Sequence, residues 1–305
     1  MHTKRGSALI AVFWIMAILS LAVFSAVRVV YSDADVASAQ LNGFEALQVA
    51  ERGIAVAVNP SIEKLDPLLS WSDEELDISY KARFISEGVR FNINTILFNG
   101  DKVLLVDLFT DWGMLLDDAQ MLADNLTDWV DSNEGVELNG AEADWYEREG
   151  RGNHPFNRPF YSLDEMLLVK DIDLLSDVKE DWKEWFTIWS SGQLDINEAE
   201  AELISAAMEI SIDDAGSIVD QILGPDRERD TEDDAPFGSV AEAATLVGLS
   251  EFQVEAIQQR VTVGDSVTRV ISEGRAGTVK RQITLILKSR ENQLTILERK
   301  EEILP

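Results

Sequence analysis

The sequence has 305 residues, enough to bury a sizeable core in one to three domains. Its 56 acidic and 26 basic side chains give a formal net charge of −30, which disfavours binding to DNA, RNA or anionic lipid. There is no Cys and there are only two His, so disulfides, Cys-ligated zinc and thiol catalysis are excluded, and a Ser-His-Asp triad has almost nothing to draw on.

The first predicted element is a membrane anchor. Residues 7–27 form a run of 21 residues whose only polar members are serines. As a helix this run spans about 31 Å, which matches the hydrocarbon thickness of a bilayer and exceeds the apolar region of a cleaved secretory signal. Lys4 and Arg5 precede it, and Asp33 and Asp35 follow it. The positive-inside rule therefore predicts a cytoplasmic N-terminus and an exported C-terminal bulk.

The helical pattern continues beyond the apolar run. Apolar or small residues recur at spacings of three, four and seven up to Pro60, at Val36, Gly43, Leu47, Ala50, Ile54 and Val58. We expect one helix over residues 7–58, about 78 Å long, half in lipid and half in water.

A short basic leader ending in Gly6, an apolar span and an amphipathic continuation together resemble the type IV prepilin family. That resemblance implies a leader of residues 1–6, which the prepilin peptidase removes by cutting between Gly6 and Ser7, so that the anchor is retained. Family members usually begin the mature chain with Phe and carry Glu at the fifth mature position. Here those positions are Ser7 and Ala11.

The absence of an acidic residue at position 11, where this chain has Ala11, makes the resemblance more specific. A carboxylate in lipid is costly unless it is paired. In the family it is thought to pair with the N-terminal amine of the neighbouring subunit during filament growth, so a subunit at the tip has no use for it. The chain therefore resembles the minor pseudopilin K family of type II secretion, the general secretion pathway protein K family.

The exported part begins with a predicted pilin head over residues 59–112. Residues 78–94 alternate apolar and polar side chains on both sides of Ser86-Glu87-Gly88, which predicts a hairpin with its turn at the glycine. Residues 264–305 return to β alternation, with one turn at Gly274 and Gly277 and the next at Glu291-Asn292. Those C-terminal strands should complete the head.

Between these parts, helical spacing predicts two units, at residues 113–190 and 191–263. Motifs at DWVD, GAEADWY and NRPFYSLDEM resemble the K family in order and spacing. The expected fold is α+β: a long N-terminal helix packed on an antiparallel pilin-like sheet, which is interrupted by a large helical insert of SAM-like, helix-hairpin-helix character.

The second unit contains a predicted helix-hairpin-helix turn. Ser239 and Ser250 are placed to cap two short helices that meet at Val247-Gly248-Leu249. Such turns hold DNA phosphates elsewhere, but these helices carry Glu242 and Glu251 and lack a basic surface. The turn is interpreted as a packing device, and nucleic acid is not an expected partner.

Two acidic loops are candidate metal sites. The first concentrates oxygen ligands around glycines, at Asp131, Asn133, Glu134, Glu137, Glu142 and Asp144. Hard calcium takes six to eight oxygens, and K pseudopilins are calcium-binding in their helical domain, so the resemblance implies structural calcium here. The second loop is a weaker candidate, since a solvated charge run explains it equally well; its carboxylates are Asp226, Asp230, Asp233 and Asp234.

The resemblance implies a non-enzymatic role. The chain would be a single-pass inner-membrane protein with its bulk in the periplasm, located at the pseudopilus tip and initiating pseudopilus assembly for protein export across the outer membrane. Implied partners are the minor pseudopilins of the I, J and H types, the prepilin peptidase and the inner-membrane assembly platform. Two alternatives remain: a minor pilin of a type IV pilus, and a signal-anchored periplasmic enzyme.

Overall fold

The computed structural model describes residues 5–289 and 294–305, so leader residues 1–4 and the predicted turn at Glu291-Asn292 lie outside the described residues. A single helix, α1 (Arg5–Ala57), opens the chain with 53 residues. Its run of Ala, Leu, Val and Ile contains no proline, and the amide of Val58 still bonds to the carbonyl of Ile54 before Pro60 ends the pattern. The predicted long helix is confirmed.

Among the described side chains of α1, those of its C-terminal quarter pack against the rest of the chain. Side chains before Ala46 are mostly exposed, whereas one face of the last three turns is buried, at Ala46, Val49, Ala50, Ile54 and Ala57. This burial ties α1 to the first strands of the head. These are β1 (Ser70–Asp73), which follows a 3-10 turn at Pro67–Leu69, and β2 (Ile78–Ser86).

A helical insert follows β2 and occupies the chain as far as residue 266. A 3-10 turn at Glu87–Val89 opens it. Its elements in order are β3 (Phe91–Asn92), α2 (Ile93–Phe98), α3 (Lys102–Asp111), α4 (Leu116–Val130), α5 (Ala143–Arg148), a 3-10 helix (Leu163–Leu168), α6 (Asp173–Val178), a 3-10 turn (Trp182–Glu184), β4 (Phe186–Thr187), β5 (Leu194–Asp195), α7 (Ala201–Met208), α8 (Ile212–Leu223), α9 (Val240–Leu246), α10 (Glu251–Ile257) and β6 (Val261–Thr262). The insert's side chains share one hydrophobic core, which runs from Phe91 to Val261.

The chain then returns to the head through β7 (Val267–Ala276), β8 (Val279–Lys288) and β9 (Thr295–Leu304). The five-stranded sheet has the order β1-β2-β7-β8-β9, and every neighbouring pair is antiparallel. β2 and β7 are therefore adjacent in the sheet although the whole insert separates them in sequence. The α+β fold with an interrupted sheet is confirmed.

The predicted hairpin at Ser86-Glu87-Gly88 is wrong. β2 pairs with β1 on one side and with β7 on the other, while Phe91 and Asn92 leave the sheet and pair in parallel with Phe186 and Thr187 of the insert. The alternation across residues 78–94 thus belongs to two different sheets. Glu87 and Gly88 are buried at the point where the chain crosses from one to the other.

Gly274 also differs from its predicted turn position. The turn lies at Gly277, whose φ is +57°, whereas Gly274 is within β7. A Cβ on Gly274 would overlap the carbonyl oxygen of Ala46 and lie 2.5 Å from the amide nitrogen of Ala50. The glycine is needed because α1 lies directly against the strand at this point.

Two short helices of the insert, α9 and α10, have the caps that were predicted from the sequence. Ser239 caps α9 and Ser250 caps α10, the latter in a complete capping box with Gln253. Gly248 lies between them with a φ of +73°, which explains the glycine of the Val247-Gly248-Leu249 link.

Candidate functional site

The apolar half of α1 is one candidate functional surface. Residues Ile10–Ala57 include an 18-residue window of mean hydropathy 2.5 that is unburied within the protein, so the helix is long and apolar enough to cross a bilayer. Gly6 and Ser7 lie in its first turns, and Ala11 is exposed on the apolar stretch. No acidic side chain occurs on α1 before Asp33.

Beyond the apolar run, α1 presents a second exposed segment at residues 28–45. It carries large apolar side chains that face solvent in the single chain, at Val29, Val30, Tyr31, Val36, Leu41 and Phe44. A water-exposed helix with such side chains is suited to packing against other helices.

The first acidic loop folds around two carboxylates of α4. The amide of Glu137 donates to both oxygens of Asp128, at 3.1 and 3.3 Å. The amide and the side-chain amide of Asn139 donate to Asp124, at 3.1 and 3.2 Å. Gly140 passes so close that a Cβ there would overlap Asp128. The glycine and the buried carboxylates together fix the course of the loop.

A cationic side chain, Lys102, compensates the carboxylates of Asp124 and Glu137 in this loop. Lys102 lies 3.0 Å from a carboxylate oxygen of Asp124 and 3.0 Å from one of Glu137. Within the described part of the chain, neither Asp128 nor Glu142 forms an ion pair, although both side chains are buried. The Oε1 atom of Glu142 also lacks a hydrogen-bond partner among the described residues.

The surroundings of Asp128 and Glu142 favour the protonated form of both carboxyl groups. Burial raises the pKa of Asp128 to about 6, and the charges of Asp131 and Glu137 add to the effect. Burial raises the pKa of Glu142 to about 7, with further contributions from Asp128 and Asp131. A bound cation would relieve the same repulsion.

The structure brings together some of the loop residues chosen from sequence and separates others. Asp131, Glu134 and Glu137 lie near enough to Asp128 or Glu142 to raise their pKa. Asn133 is turned to its own loop, where it accepts from the amide of Gly135. Asp144 is exposed at the start of α5 and takes no part.

The donor chemistry of this loop fits calcium, because it offers carboxylate oxygens and one buried acceptor without a partner. The positions of the side chains fit a metal site less well. Over residues 5–289 and 294–305, no group of three or more His, Asp or Glu side chains is arranged to hold a metal ion.

The second acidic loop uses its carboxylates as acceptors for its own backbone. The amide of Asp226 donates to Asp233 at 3.2 Å, and the amide of Asp230 donates to Asp234 at 2.8 Å. A hydrogen bond from the Thr231 hydroxyl lowers the pKa of Asp233. The Asp230 carboxylate also lies 3.0 Å from Lys64 Nζ, so an ion pair joins the loop to the segment that precedes the sheet.

Sequence reasoning missed Asp124 and Asp128, the two carboxylates around which the first loop folds. The available signal was their spacing of four on α4, within a helix face that also buries Leu122, Leu126 and Trp129. Acidic residues on a buried helix face are rarely fully buried unless they have a partner.

Residues 89–176 match the family model described as type II secretion system (T2SS), protein K. The fold is similar to the crystal structure of the GspK-GspI-GspJ complex from the enterotoxigenic Escherichia coli type 2 secretion system. The TM-score is 0.61 at 12% sequence identity, over 90% of this chain and 99% of that one. A search of curated proteins gives no match.

The matched region begins just inside the insert and includes the acidic loop, while the structural similarity covers 90% of the chain. The matched region and the overall fold therefore point to the same kind of protein. The family match over residues 89–176 and the similar fold together support a type II secretion system protein K, a minor pseudopilin.

Proposed function

We propose that this chain is the tip subunit of a pseudopilus and initiates its assembly for protein export across the outer membrane. The observation that carries the proposal is α1 itself: one continuous helix that is apolar and exposed over its first half and buried in the head over its last turns. Such a helix anchors the subunit and presents a face for parallel helices of other subunits.

Ala11 supports the tip position. A subunit inside a filament gains from a carboxylate that pairs with the next amine, and an unpaired one in lipid is a cost. Ala11 avoids that cost, and the bulky insert lies at the end of the head opposite the membrane span. Both features suit a subunit with nothing above it.

The partners in this proposal are other minor pseudopilins of the I, J and H types and the inner-membrane assembly platform. The similar structure is a complex of GspK with GspI and GspJ, which supports the first group. Processing by the prepilin peptidase between Gly6 and Ser7 would precede assembly, with the leader in the cytoplasm and the head in the periplasm.

The alternatives have less support. A type IV pilus minor pilin does not account for the family match in the insert. A signal-anchored enzyme would need a site, and a groove of about 1100 Å³ does lie where the head meets the insert. Its most perturbed carboxylate, Asp195, accepts a hydrogen bond from the amide of Asn197 within its own loop, which is a structural role.

N-terminal peptide mapping of the protein from its native membrane tests the proposal. A chain that begins at Ser7 would place it in the prepilin peptidase pathway. A chain that keeps residues 1–6 in cells with active peptidase would contradict the pseudopilin function and favour the enzyme.

We also propose that the first acidic loop binds structural calcium. Asp128, Asp131, Glu137 and Glu142 would have to move together to hold it, because no three of the described carboxylates are already arranged for a metal. The ion would then neutralise the buried carboxylates and order the loop. The orphaned Oε1 atom of Glu142 is the supporting observation.

Thermal unfolding of the exported part in calcium and in chelator tests this second proposal. Binding at 100 times the dissociation constant adds about 2.7 kcal/mol, so calcium should raise the Tm by several degrees. Glu142→Gln should abolish the increase, while Asp144→Asn should retain it. An equal Tm with and without calcium would contradict the proposal.

A further inference from the structure

Four large apolar side chains of the insert are exposed in one region of its surface. Phe98, at the end of α2, is 89% exposed, and Val103, in the first turn of α3, is 63% exposed. Val136 and Leu138, in the first acidic loop, are 60% and 92% exposed. Single exposed apolar side chains are common on protein surfaces, whereas groups of them mark interaction sites. These four residues are called the apolar patch.

Two connections bring the members of the apolar patch together. Lys102 Nζ lies 3.0 Å from a carboxylate oxygen of Glu137 and 3.0 Å from one of Asp124. The loop residues on either side of Glu137 therefore lie beside the first turn of α3. The amide of Asp101 donates to the carbonyl of Ile96, so the end of α2 lies next to the same turn.

The chain around the apolar patch is strongly acidic. Residues 98–144 contain 12 acidic side chains and one basic side chain, Lys102, which two carboxylates already compensate. Asp107 follows Val103 by one turn on the same face of α3, and Glu134 lies in the acidic loop. Both carboxylates are exposed, and neither forms an ion pair with any residue that the structure describes. The patch thus combines apolar side chains with uncompensated negative charge.

The position of the insert determines from which side a partner arrives. Ala46 of α1 lies beside Gly274 of β7, and Gly53, two turns further along α1, lies beside Ser272. β7 therefore runs back along α1 towards the N-terminal, apolar half of the helix. The insert, which precedes β7 in the chain, joins the sheet at the opposite end. When α1 stands in a bilayer, the insert faces away from it.

From these observations we infer that the apolar patch docks a cationic protein surface, one that presents apolar side chains among Lys and Arg. The inference goes beyond the proposed function, because it adds a partner that is not a subunit of the pseudopilus. Apolar contact would supply the binding energy, while the acidic surroundings would select the partner and speed its approach. Four side chains form a small interface, which is typical of a transient complex.

Other occupants conflict with the charge or the position of the patch. A second copy of this chain would bring two acidic surfaces together. Nucleic acid and anionic lipid would be repelled by the 12 carboxylates of residues 98–144. The membrane that holds α1 lies at the other end of the protein.

Photo-crosslinking of the full-length chain in its native cells tests the inference. The photoreactive probe p-benzoylphenylalanine is placed at Phe98 or at Leu138. We expect both positions to cross-link to the same protein, through a segment with an excess of Lys and Arg. The probe at Phe252, whose side chain on α10 is 81% exposed, should give no such product.

A charge-reversal pair gives the matched comparison. Asp107→Lys with Glu134→Lys should lower the yield of the product by about tenfold, because like charges replace opposite charges beside the patch. Glu202→Lys with Asp213→Lys makes the same change of net charge at exposed carboxylates elsewhere on the insert, and the yield should stay unchanged. Val136→Ser, which removes one apolar contact, should lower the yield by roughly threefold to tenfold.

The opposite results are equally clear. The inference is wrong if neither position gives a product, if the cross-linked segment is not cationic, or if the two charge-reversal pairs lower the yield equally. A product with lipid, with a second copy of this chain or with another pseudopilin would also overturn it. None of these results bears on membrane anchoring and leader cleavage, which N-terminal peptide mapping tests separately.

Discussion

Glu87 and Arg269 form a two-pronged ion pair where the insert meets the head. Arg269 Nε lies 2.7 Å from one carboxylate oxygen of Glu87, and Arg269 Nη2 lies 2.9 Å from the other. Glu87 is fully buried, and it also accepts from the hydroxyl of Thr187 in β4. One side chain therefore connects β7 of the sheet to the small parallel sheet of the insert.

Glu87→Gln should destabilise the fold by about 3 kcal/mol, because it leaves the largely buried Arg269 guanidinium without its counter-charge. Urea unfolding of the protein measures this. Asp220→Asn, which removes an exposed partner of Arg227, is the control and should change stability by less than about 1 kcal/mol. Equal effects of the two variants would contradict a special role for the buried pair.

Gly274→Ala should separate α1 from β7, since the new Cβ would overlap the backbone of Ala46. We expect a loss of about 3 kcal/mol or more, measured by thermal unfolding. Gly264→Ala meets open space and should be nearly neutral. A Gly274→Ala variant as stable as the parent would show that α1 does not lie so close to the strand.

Asp195 should make stability depend on pH between about 4 and 6. Burial raises its pKa to about 6 in the folded protein, and the charges of Glu198 and Asp265 add to the effect. Near pH 4 the carboxyl is largely neutral in the folded chain. As pH rises towards 6 the unfolded chain loses this proton first, so folding loses stability.

Asp195→Asn removes that loss. The variant should match the parent near pH 4 and exceed it by on the order of 1–3 kcal/mol above pH 6. Unfolding at a series of pH values checks this, and a constant difference across the range would contradict it. Glu75→Gln, an exposed carboxyl, serves as the control.

Trp129→Phe should cost about 1–3 kcal/mol, because Trp129 Nε1 donates to Glu165 at 3.0 Å inside the insert core. The ring also packs edge-on against Tyr146 and Phe156. Chemical unfolding monitored by fluorescence measures the loss. Trp71→Phe, on the sheet, should change stability less because Trp71 is partly exposed.

Local patterns in the sequence predicted much of the fold. The apolar run and its periodic continuation predicted α1, and the serine caps with Gly248 predicted the paired helices α9 and α10. These elements depend on interactions within a few residues of each other, and such interactions are visible in a single sequence.

Features that depend on contacts between residues far apart in sequence could not be predicted from the sequence. The alternation across Ser86 and Phe91 is the same whether those strands pair with each other or with remote partners, so the predicted hairpin failed. Glycine alone did not distinguish the turn at Gly277 from the close approach at Gly274. For the acidic loop, sequence found the exposed carboxylates and missed Asp128, since burial of an acid is decided by the core around it.

The interrupted sheet has a consequence for the order of folding. Glu87 and Arg269 are 182 residues apart in sequence, and the sheet closes only when β7–β9 join β2 and α1. Contacts between distant residues form slowly, whereas the insert can build its core from residues that are all present earlier. We therefore expect synthesis from the N-terminus to produce an intermediate in which the insert is folded and the part of α1 that β7 and β8 cover is still exposed. That intermediate is the stage at which proteases and chaperones have most access to the protein.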